Sequence, residues 1–186
     1  MEGKFPLSPE LIQALRKYID FITIPAGRYI LRPKQQCDYV YLVLKGLLRC
    51  YSVAAGKERT IWFRKNLQVT FPVSGFCMRK SAQEYIVAIE QTELAFISFE
   101  HREELRRRFV EFAYLDGYFT AECLADQVCH SKIYWLNAEQ RYNWFLRFHH
   151  DLLPRVPLRH IASFLFMEVE TLSRTRASLS RRKQSS

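Results

Sequence analysis

Residues 158–176 read LRHIASFLFMEVETLSRTR, and this stretch decides the fold expected for the C-terminal part of the chain. Its apolar residues recur at helical spacing on either side of residues 166–168, which predicts two short helices joined by a tight turn. The positions expected to face inward are Ile161, Ala162 and Leu165 in the first helix, Met167 in the turn, and Leu172 and Thr175 in the second helix. In a helix-turn-helix the second helix lies in the major groove of DNA, so a DNA-binding regulator is the first hypothesis.

Two positions in this stretch depart from the helix-turn-helix pattern. The turn position at which the motif favours glycine, for its positive φ, is Phe166. The N-cap position ahead of the second helix is Glu168, where Ser or Thr would satisfy free backbone N–H groups. An amphipathic helix pair that ends in basic residues and does not bind DNA is therefore the alternative interpretation.

The positive charge of the chain is concentrated toward its C-terminal part. The net charge is +9, and residues 155–186 carry seven Lys or Arg against two Asp or Glu. Such a distribution is typical of proteins that bind a polyanion, because each neutralised phosphate releases counterions. A solubilising basic tail is the alternative, and RRKQSS at residues 181–186 would fit it alone.

The remaining composition favours a folded cytoplasmic protein without a metal or a cofactor. With 186 residues and 48% hydrophobic content, the chain can form one sizeable core and a small second module. Residues 1–15 lack the apolar run of a signal peptide, and no later run is long enough to span a bilayer, so no membrane association is expected. None of the five cysteines has C-x-x-C spacing, so neither a zinc site nor an iron–sulfur cluster is expected.

The first half of the chain has the pattern of an all-β roll. Short β-branched or aromatic runs, separated by Gly- or Pro-containing turns, occur at residues 21–24, 29–31, 39–44, 47–51, 59–64, 69–71, 85–89 and 93–98. Many short strands at close spacing are typical of an antiparallel sandwich or a jelly-roll-like barrel. Ahead of them, Ser8 and Pro9 predict the start of a helix that ends near Tyr18.

An enzyme of the cupin type also has a strand roll, and it is the enzymatic alternative. Its site requires histidine and carboxylate ligands inside the roll. All the histidines fall instead in the helical half, at His101, His130, His149, His150 and His160. No nucleophile elbow or phosphate-binding loop is present, so a non-enzymatic protein is expected.

Residues 101–135 predict one long helix with two apolar faces. The first face, suited to cover the roll, consists of Leu105, Phe109, Phe112 and Phe119. The second face consists of Val110, Tyr114, Ala121, Leu124 and Val128. We expect this second face to bind the same helix of another subunit in a homodimer, and a helix sandwiched within one chain is the alternative. Asn137 and Gln140 then predict a capping box that begins the next helix.

A strand roll, a long helix and a helix-turn-helix in this order resemble the Crp/Fnr family of bacterial transcription regulators over nearly the whole chain. The similar segments are PAGRYIL at 25–31, YVYLVLKGLLR at 39–49, AIEQTELAFIS at 88–98, EQRY at 139–142, PRVP at 154–157, IAS at 161–163 and ETLSR at 170–174. The resemblance implies an α+β fold. It comprises an antiparallel β-roll like a cyclic-nucleotide-binding domain at residues 1–100, a long dimerisation helix at 101–136 and a helix-turn-helix at 137–186. The chain is most similar to a short subgroup that lacks the family's β-wing.

The resemblance also implies which residues contact double-stranded DNA. Glu170 and Arg174 match two base-reading positions, and their chemistry suits cytosine N4 and guanine O6 and N7 respectively. A third base-reading position is Val169, which implies a different operator sequence or a weaker readout of the bases. The residues expected to complete the DNA-binding surface, largely through phosphates, are Thr171, Ser173, Arg176, Arg181 and Arg182.

The effector pocket of the family would fall near Phe71, Ala82, Gln83 and Glu84. Family members that bind cyclic AMP carry a Gly-Glu pair and an Arg-Ser or Arg-Thr pair, whereas this chain has NLQ at 66–68 and AQE at 82–84. Because no Arg is present and Glu84 would repel a phosphate, cyclic AMP is not expected to bind. An effector of another kind, or none, stays open. The alternative function is a regulatory or interaction module whose helix-turn-helix has decayed and binds DNA weakly.

Overall fold

The structure is a computed structural model that describes residues 7–184, and the chain divides into two compact units. The first unit contains the described residues up to Arg49 together with Phe63–Ala125, and the second contains Cys50–Trp62 together with the described residues from Asp126 onward. The first unit begins with helix α1, Pro9–Tyr18, whose N-cap Ser8 accepts a 3.2 Å hydrogen bond from the Leu11 backbone N–H. The predicted first helix is thus confirmed.

Eight strands occur within the described residues, close to the predicted positions. They are β1 (Asp20–Ile24), β2 (Tyr29–Leu31), β3 (Tyr39–Lys45), β4 (Leu47–Ala54), β5 (Lys57–Lys65), β6 (Val69–Thr70), β7 (Tyr85–Ala88) and β8 (Thr92–Ser98). They form two four-stranded sheets, ordered β1-β8-β3-β6 and β2-β7-β4-β5. Strand β8 pairs antiparallel with both β1 and β3, which places Ala95 between Phe21 and Leu42. The predicted antiparallel jelly roll is confirmed.

The turn between β3 and β4 depends on a glycine. Gly46 has a φ of +112°, and a Cβ there would lie 2.5 Å from Thr92 Oγ1. That hydroxyl accepts a 3.1 Å hydrogen bond from the Leu47 backbone N–H and donates one of 2.8 Å to the Glu90 carbonyl. Any larger residue at position 46 would therefore disrupt a buried connection between two strands.

The prediction of one continuous helix over residues 101–135 is wrong. A short helix α2, Val73–Cys77, precedes helix α3 (Phe99–Arg108) and helix α4 (Val110–Lys132), and a 3₁₀ turn at Ile133–Trp135 follows α4. Phe109 between α3 and α4 is extended, with φ −130° and ψ 112°. Its ring packs against the buried cluster of Leu11, Leu105 and Phe112, so burial of this side chain offsets the lost helical hydrogen bonds.

The second unit holds the remaining helices. Helix α5 (Ala138–His149) has the predicted capping box, in which the Asn137 side chain accepts from the Gln140 backbone N–H at 2.9 Å and the Gln140 side chain accepts from the Asn137 backbone N–H at 3.1 Å. A 3₁₀ turn at His150–Leu152, helix α6 (Leu158–Phe164) and helix α7 (Val169–Gln184) follow. Across residues 7–184, no helix has the length and hydropathy needed to cross a membrane.

Candidate nucleic-acid interface

Helices α6 and α7 form the helix pair that the sequence predicts around the turn at residues 165–168. The predicted inner positions Ile161, Ala162, Leu165 and Leu172 are all buried, and Met167 and Thr175 are half-buried. Phe164 is buried as well, although its position in the helical repeat did not single it out. The apolar face of the pair is therefore shared between the two helices, which leaves the opposite face of α7 in solvent.

Phe166 adopts the positive φ for which glycine is normally required at this turn, with a value of +54°. Two sets of contacts hold the strained backbone. Arg141 of α5 donates from Nη1 to the carbonyl oxygens of Leu165 at 3.1 Å and Phe166 at 2.7 Å. The Phe166 ring packs edge-on against Tyr134, with centroids 5.6 Å apart. The departure from glycine is thus compensated by contacts from outside the turn.

Arg141 also fixes the segment that leads into α5. Its Nε donates to the Leu136 carbonyl at 2.8 Å and its Nη2 to the Tyr134 carbonyl at 2.6 Å. One guanidinium therefore serves four backbone carbonyls from two separate segments of the chain. The geometry suits arginine, whose planar fork carries five N–H donors.

His130, near the end of α4, is the second residue that the sequence did not identify as part of this site. It is buried, and its Nε2 donates a 2.7 Å hydrogen bond to the carbonyl oxygen of Phe164. The imidazole stacks on the Phe164 ring at 4.1 Å and on the Phe166 ring at 5.0 Å. Burial lowers the pKa of His130, so the ring is held neutral between the two aromatic rings.

The tip of the β4–β5 hairpin contacts the helix pair through hydrogen bonds and an ion pair. The Ser163 hydroxyl accepts from the Thr60 backbone N–H at 2.9 Å and donates to the Glu58 carbonyl at 2.8 Å. Lys57 Nζ lies 2.6 Å from Glu168 Oε1, and this hydrogen bond lowers the pKa of the Glu168 carboxyl. Glu168, predicted at the N-cap of the second helix, thus pairs with a lysine more than a hundred residues away in sequence.

The outer face of α7 carries the residues predicted to contact DNA. Glu170, Ser173, Arg174, Arg176, Arg181 and Arg182 are exposed, and Thr171 is half-buried. Thr171 accepts a 2.9 Å hydrogen bond at its carbonyl from the Thr175 hydroxyl. Arg182 forms an ion pair with Glu139 at the start of α5, at 3.1 Å. Glu170 and Arg174 lie one helical turn apart, so both side chains project from the same face.

The predicted dimer residues lie along one exposed face of α4. Val110, Tyr114, Leu124 and Val128 are exposed by 84, 67, 43 and 56%, and Ala121 is exposed too. Together with the exposed Gly117 they alternate in spacings of four and three, the repeat of a coiled-coil seam. Of the first predicted stripe, Leu105, Phe109 and Phe112 pack in the core of the first unit and Phe119 lines an apolar pocket there, whereas the residues of the second stripe are exposed on α4.

The structure places the four residues predicted for an effector pocket in the first unit, at Phe71 and at residues 82–84. Phe71 is buried in the wall of an apolar pocket in the first unit. Ala82 is buried too, and its backbone accepts a hydrogen bond from the Lys34 N–H and donates one to the Gln35 carbonyl. Gln83 is exposed and Glu84 is half-buried. No group of three His, Cys, Asp or Glu side chains in the described residues has a geometry suited to a metal ion.

Comparison with known proteins agrees with this architecture. Residues 21–109 match the family model of the cyclic nucleotide-binding domain, and no curated protein matches the chain significantly in sequence. The solved structure of FixK2 from Bradyrhizobium japonicum is 21% identical, with a TM-score of 0.77 over 89% of this chain and 86% of that chain. A transcriptional regulator of the crp/fnr family from Eubacterium rectale is 20% identical, with a TM-score of 0.74 over 95% of this chain and 85% of that one.

In a third comparison, the alignment covers a larger share of the other protein than in the first two. The c-di-GMP-responsive global regulator CLP of Xanthomonas campestris is 17% identical, with a TM-score of 0.71 over 95% of this chain and 93% of that one. These likenesses show the fold of the chain: a cyclic-nucleotide-binding jelly roll, a long helix and C-terminal helices, as in regulators of the Crp/Fnr type.

Proposed function

We propose that the protein is a homodimeric, sequence-specific DNA-binding transcription regulator in which α7 is the recognition helix. The observation that carries the proposal is the outer face of α7, where Glu170 and Arg174 project one turn apart from a helix whose inner face is buried against α6. A carboxylate and a guanidinium at this spacing can read adjacent base edges in a major groove.

The other exposed groups of α7 have a different role in this proposal. Thr171, Ser173, Arg176, Arg181 and Arg182 supply phosphate contacts, which set the register of the helix on DNA without reading sequence. The concentration of positive charge in residues 155–186 supports this assignment, since counterion release from phosphates supplies much of the affinity.

Dimerisation through α4 determines the kind of operator. Apolar residues are exposed on α4 at alternating spacings of four and three residues. This spacing suits pairing with α4 of a second chain, because the pairing buries the apolar face of each helix. A two-fold dimer presents its two recognition helices to successive major grooves, so the half-sites are expected about 10 base pairs apart.

The jelly roll is proposed to act as a sensor domain for a small molecule other than cyclic AMP. Position 82, where cyclic-AMP-binding members would carry Arg, is a buried alanine whose backbone is fully engaged by Lys34 and Gln35. The neighbouring Glu84 would face the phosphate with a like charge. We expect no cyclic AMP binding by calorimetry, and a micromolar dissociation constant would contradict this.

The test of the main proposal is selection of bound sequences from random double-stranded DNA with the full-length protein. A two-fold motif with half-sites one helical turn apart is expected, and its affinity should exceed that for scrambled DNA at every salt concentration. Enrichment of no motif would favour the second candidate, an interaction module with a decayed helix-turn-helix. That candidate rests on the positive φ of Phe166 and on the engagement of Glu168 by Lys57.

A further inference from the structure

An apolar pocket lies in the first unit between the sheet β1-β8-β3-β6 and the helices α1, α3 and α4. Its volume is about 200 Å³. Its walls include Leu42, Ala95 and Ile97 of the sheet and Phe112, Leu115 and Phe119 of α4, together with the charged residues Arg102 and Asp116. Several of these side chains are only half-buried, so a small molecule can reach the pocket from solvent.

The size and polarity of the pocket restrict what it can hold. A protein cavity of about 150 Å³ lined by Leu, Ile and Phe stays dry and binds benzene. The present pocket is larger, and its aliphatic and aromatic walls offer water few hydrogen-bond partners. A ring of six carbon atoms with one or two short substituents therefore fits.

The two charged residues that line the pocket disfavour an ionic ligand. Arg102 donates from Nε to Asp116 Oδ1 at 2.6 Å and from Nη2 to Asp116 Oδ2 at 2.7 Å, so the two charges satisfy each other. An anionic ligand would have to displace Asp116 from Arg102, and a cationic ligand would have to displace Arg102 from Asp116. Arg102 also pairs with Glu103 at 3.1 Å and Asp116 with Arg106 at 3.4 Å, so both charges are already compensated and an ionic ligand would be desolvated without a partner of its own. A neutral ligand leaves these ion pairs intact.

The pocket and the proposed dimer face lie on opposite sides of α4. At 100° per residue, Phe112 and Phe119 project roughly 140–180° from Tyr114 and Ala121, and Leu115 projects roughly 100–120° from them. Phe112 is buried and Tyr114 is largely exposed, in agreement with this division. A ligand in the pocket would therefore contact the same helix whose other face is proposed to bind the second subunit.

We propose that this pocket is a binding site for a neutral, apolar small molecule, such as a substituted single-ring aromatic compound. The site deepens the sensor role of the jelly roll and rests on that part of the proposed function. Its occupation stabilises α4 against the sheet, because the ligand adds dispersion contacts to the sides of Phe112 and Phe119 that line the pocket.

The test uses toluene as the probe with the full-length protein in the absence of DNA. Saturating toluene is expected to raise the melting temperature and to shift methyl NMR signals of Leu42, Leu115 and Ile97. Ala95→Leu fills the pocket and should weaken toluene binding by about tenfold or more, because close-packed interiors leave no room for both groups. Ala54→Leu, at an exposed position at the end of β4, is the matched control and should leave binding unchanged.

A second variant enlarges the pocket, so it does not require the fold to accommodate a larger side chain. Leu115→Ala should shift the preference from toluene toward 1-methylnaphthalene by about tenfold, since the larger ring occupies the vacated volume. Absence of toluene binding to the unaltered protein overturns the proposal. Binding that Ala95→Leu leaves intact, together with an unchanged size preference in Leu115→Ala, overturns it as well. Since DNA is absent, a failure here leaves the DNA-binding proposal standing.

Discussion

Arg102 Nε lies 2.6 Å from Asp116 Oδ1, and this ion pair joins α3 to α4 across the extended residue Phe109. The two residues are 14 positions apart, which in one straight helix would separate them by about 21 Å. The break in the helix is therefore what allows the pair to form. Both side chains are largely buried, exposed by 6 and 13%.

Replacing Asp116 with Ala should lower the free energy of unfolding by about 3 kcal/mol, because the buried guanidinium of Arg102 loses its bidentate partner and keeps only Glu103, at 3.1 Å. Urea denaturation followed by circular dichroism measures the change. The double variant Arg102→Met/Asp116→Leu should recover most of the loss, since it removes both charges and keeps the volume. A loss below about 1 kcal/mol in Asp116→Ala would show that the pair behaves as a solvated one.

Arg141→Ala should destabilise the second unit by about 2 kcal/mol or more, since carbonyls of Tyr134, Leu136, Leu165 and Phe166 lose a charged donor. Arg147→Ala on the same helix is the matched control. Arg147 is exposed, so its removal should change the free energy of unfolding by less than about 0.5 kcal/mol. Equal effects of the two substitutions in thermal unfolding would contradict the role assigned to Arg141.

The stability of the protein should decrease with falling pH because of His130. Burial lowers the pKa of this imidazole in the folded state, so the unfolded chain binds more protons below its own pKa of about 6.5. The contribution of the neutral His130 to the free energy of unfolding is fully present above that pH and is lost as the pH falls toward the folded-state pKa of His130. Unfolding free energies measured between pH 7.5 and pH 5 check this, with buffers of about constant ionic strength.

Two histidine variants separate this effect from other titrations. His130→Gln keeps a donor for the Phe164 carbonyl and should flatten the pH dependence, whereas His150→Gln, at an exposed position, should preserve it. A pH profile that is the same in all three proteins would refute the assignment to His130.

Arg174 and Arg181 should affect DNA binding in different ways. Arg174→Ala should cost about 1–3 kcal/mol on the selected site and relax the preference at one base pair. Arg181→Ala should weaken binding to all DNA alike and lower the salt slope by about one unit. Fluorescence anisotropy titrations over a range of salt concentrations distinguish the two. Equal, sequence-independent losses would indicate that the C-terminal residues act only as a basic tail.

Leu124→Glu/Val128→Glu should dissociate the dimer, because charged side chains on a coiled-coil seam are desolvated beside their own copies. Sedimentation equilibrium at micromolar concentration measures the result. Cys129→Glu is the control, since Cys129 is exposed and projects about 100° away from the Val128 position. A monodisperse monomer for the unaltered protein would overturn the dimer proposal.

The elements that the sequence predicts well are those encoded locally. Ser8, Asn137 and the Gly- or Pro-containing turns specify caps and strand ends within a few residues, and the structure places helices and strands close to those positions. The burial of Ile161, Leu165 and Leu172 likewise follows from a repeat that is visible in the sequence.

The features that the sequence did not predict depend on contacts between residues far apart in sequence. Phe109 belongs to the apolar face predicted for one continuous helix, and only its packing with Leu11 explains why α3 ends before it. Phe166 can take the glycine position because Arg141 and Tyr134 support it from another segment. No local sequence pattern predicts the hydrogen bonds of Ser163 with the β4–β5 hairpin, since the bonded residues are more than a hundred positions apart.

Strand β5 lies at the edge of its sheet, and an open edge can recruit a strand from another molecule and start aggregation. The Glu58 carbonyl and the Thr60 N–H belong to alternate residues, so both point to the same side of the strand. The Ser163 hydroxyl bonds to both groups and so occupies the two positions that a residue of an added strand would use. One serine side chain thereby protects this part of the sheet from edge-to-edge association.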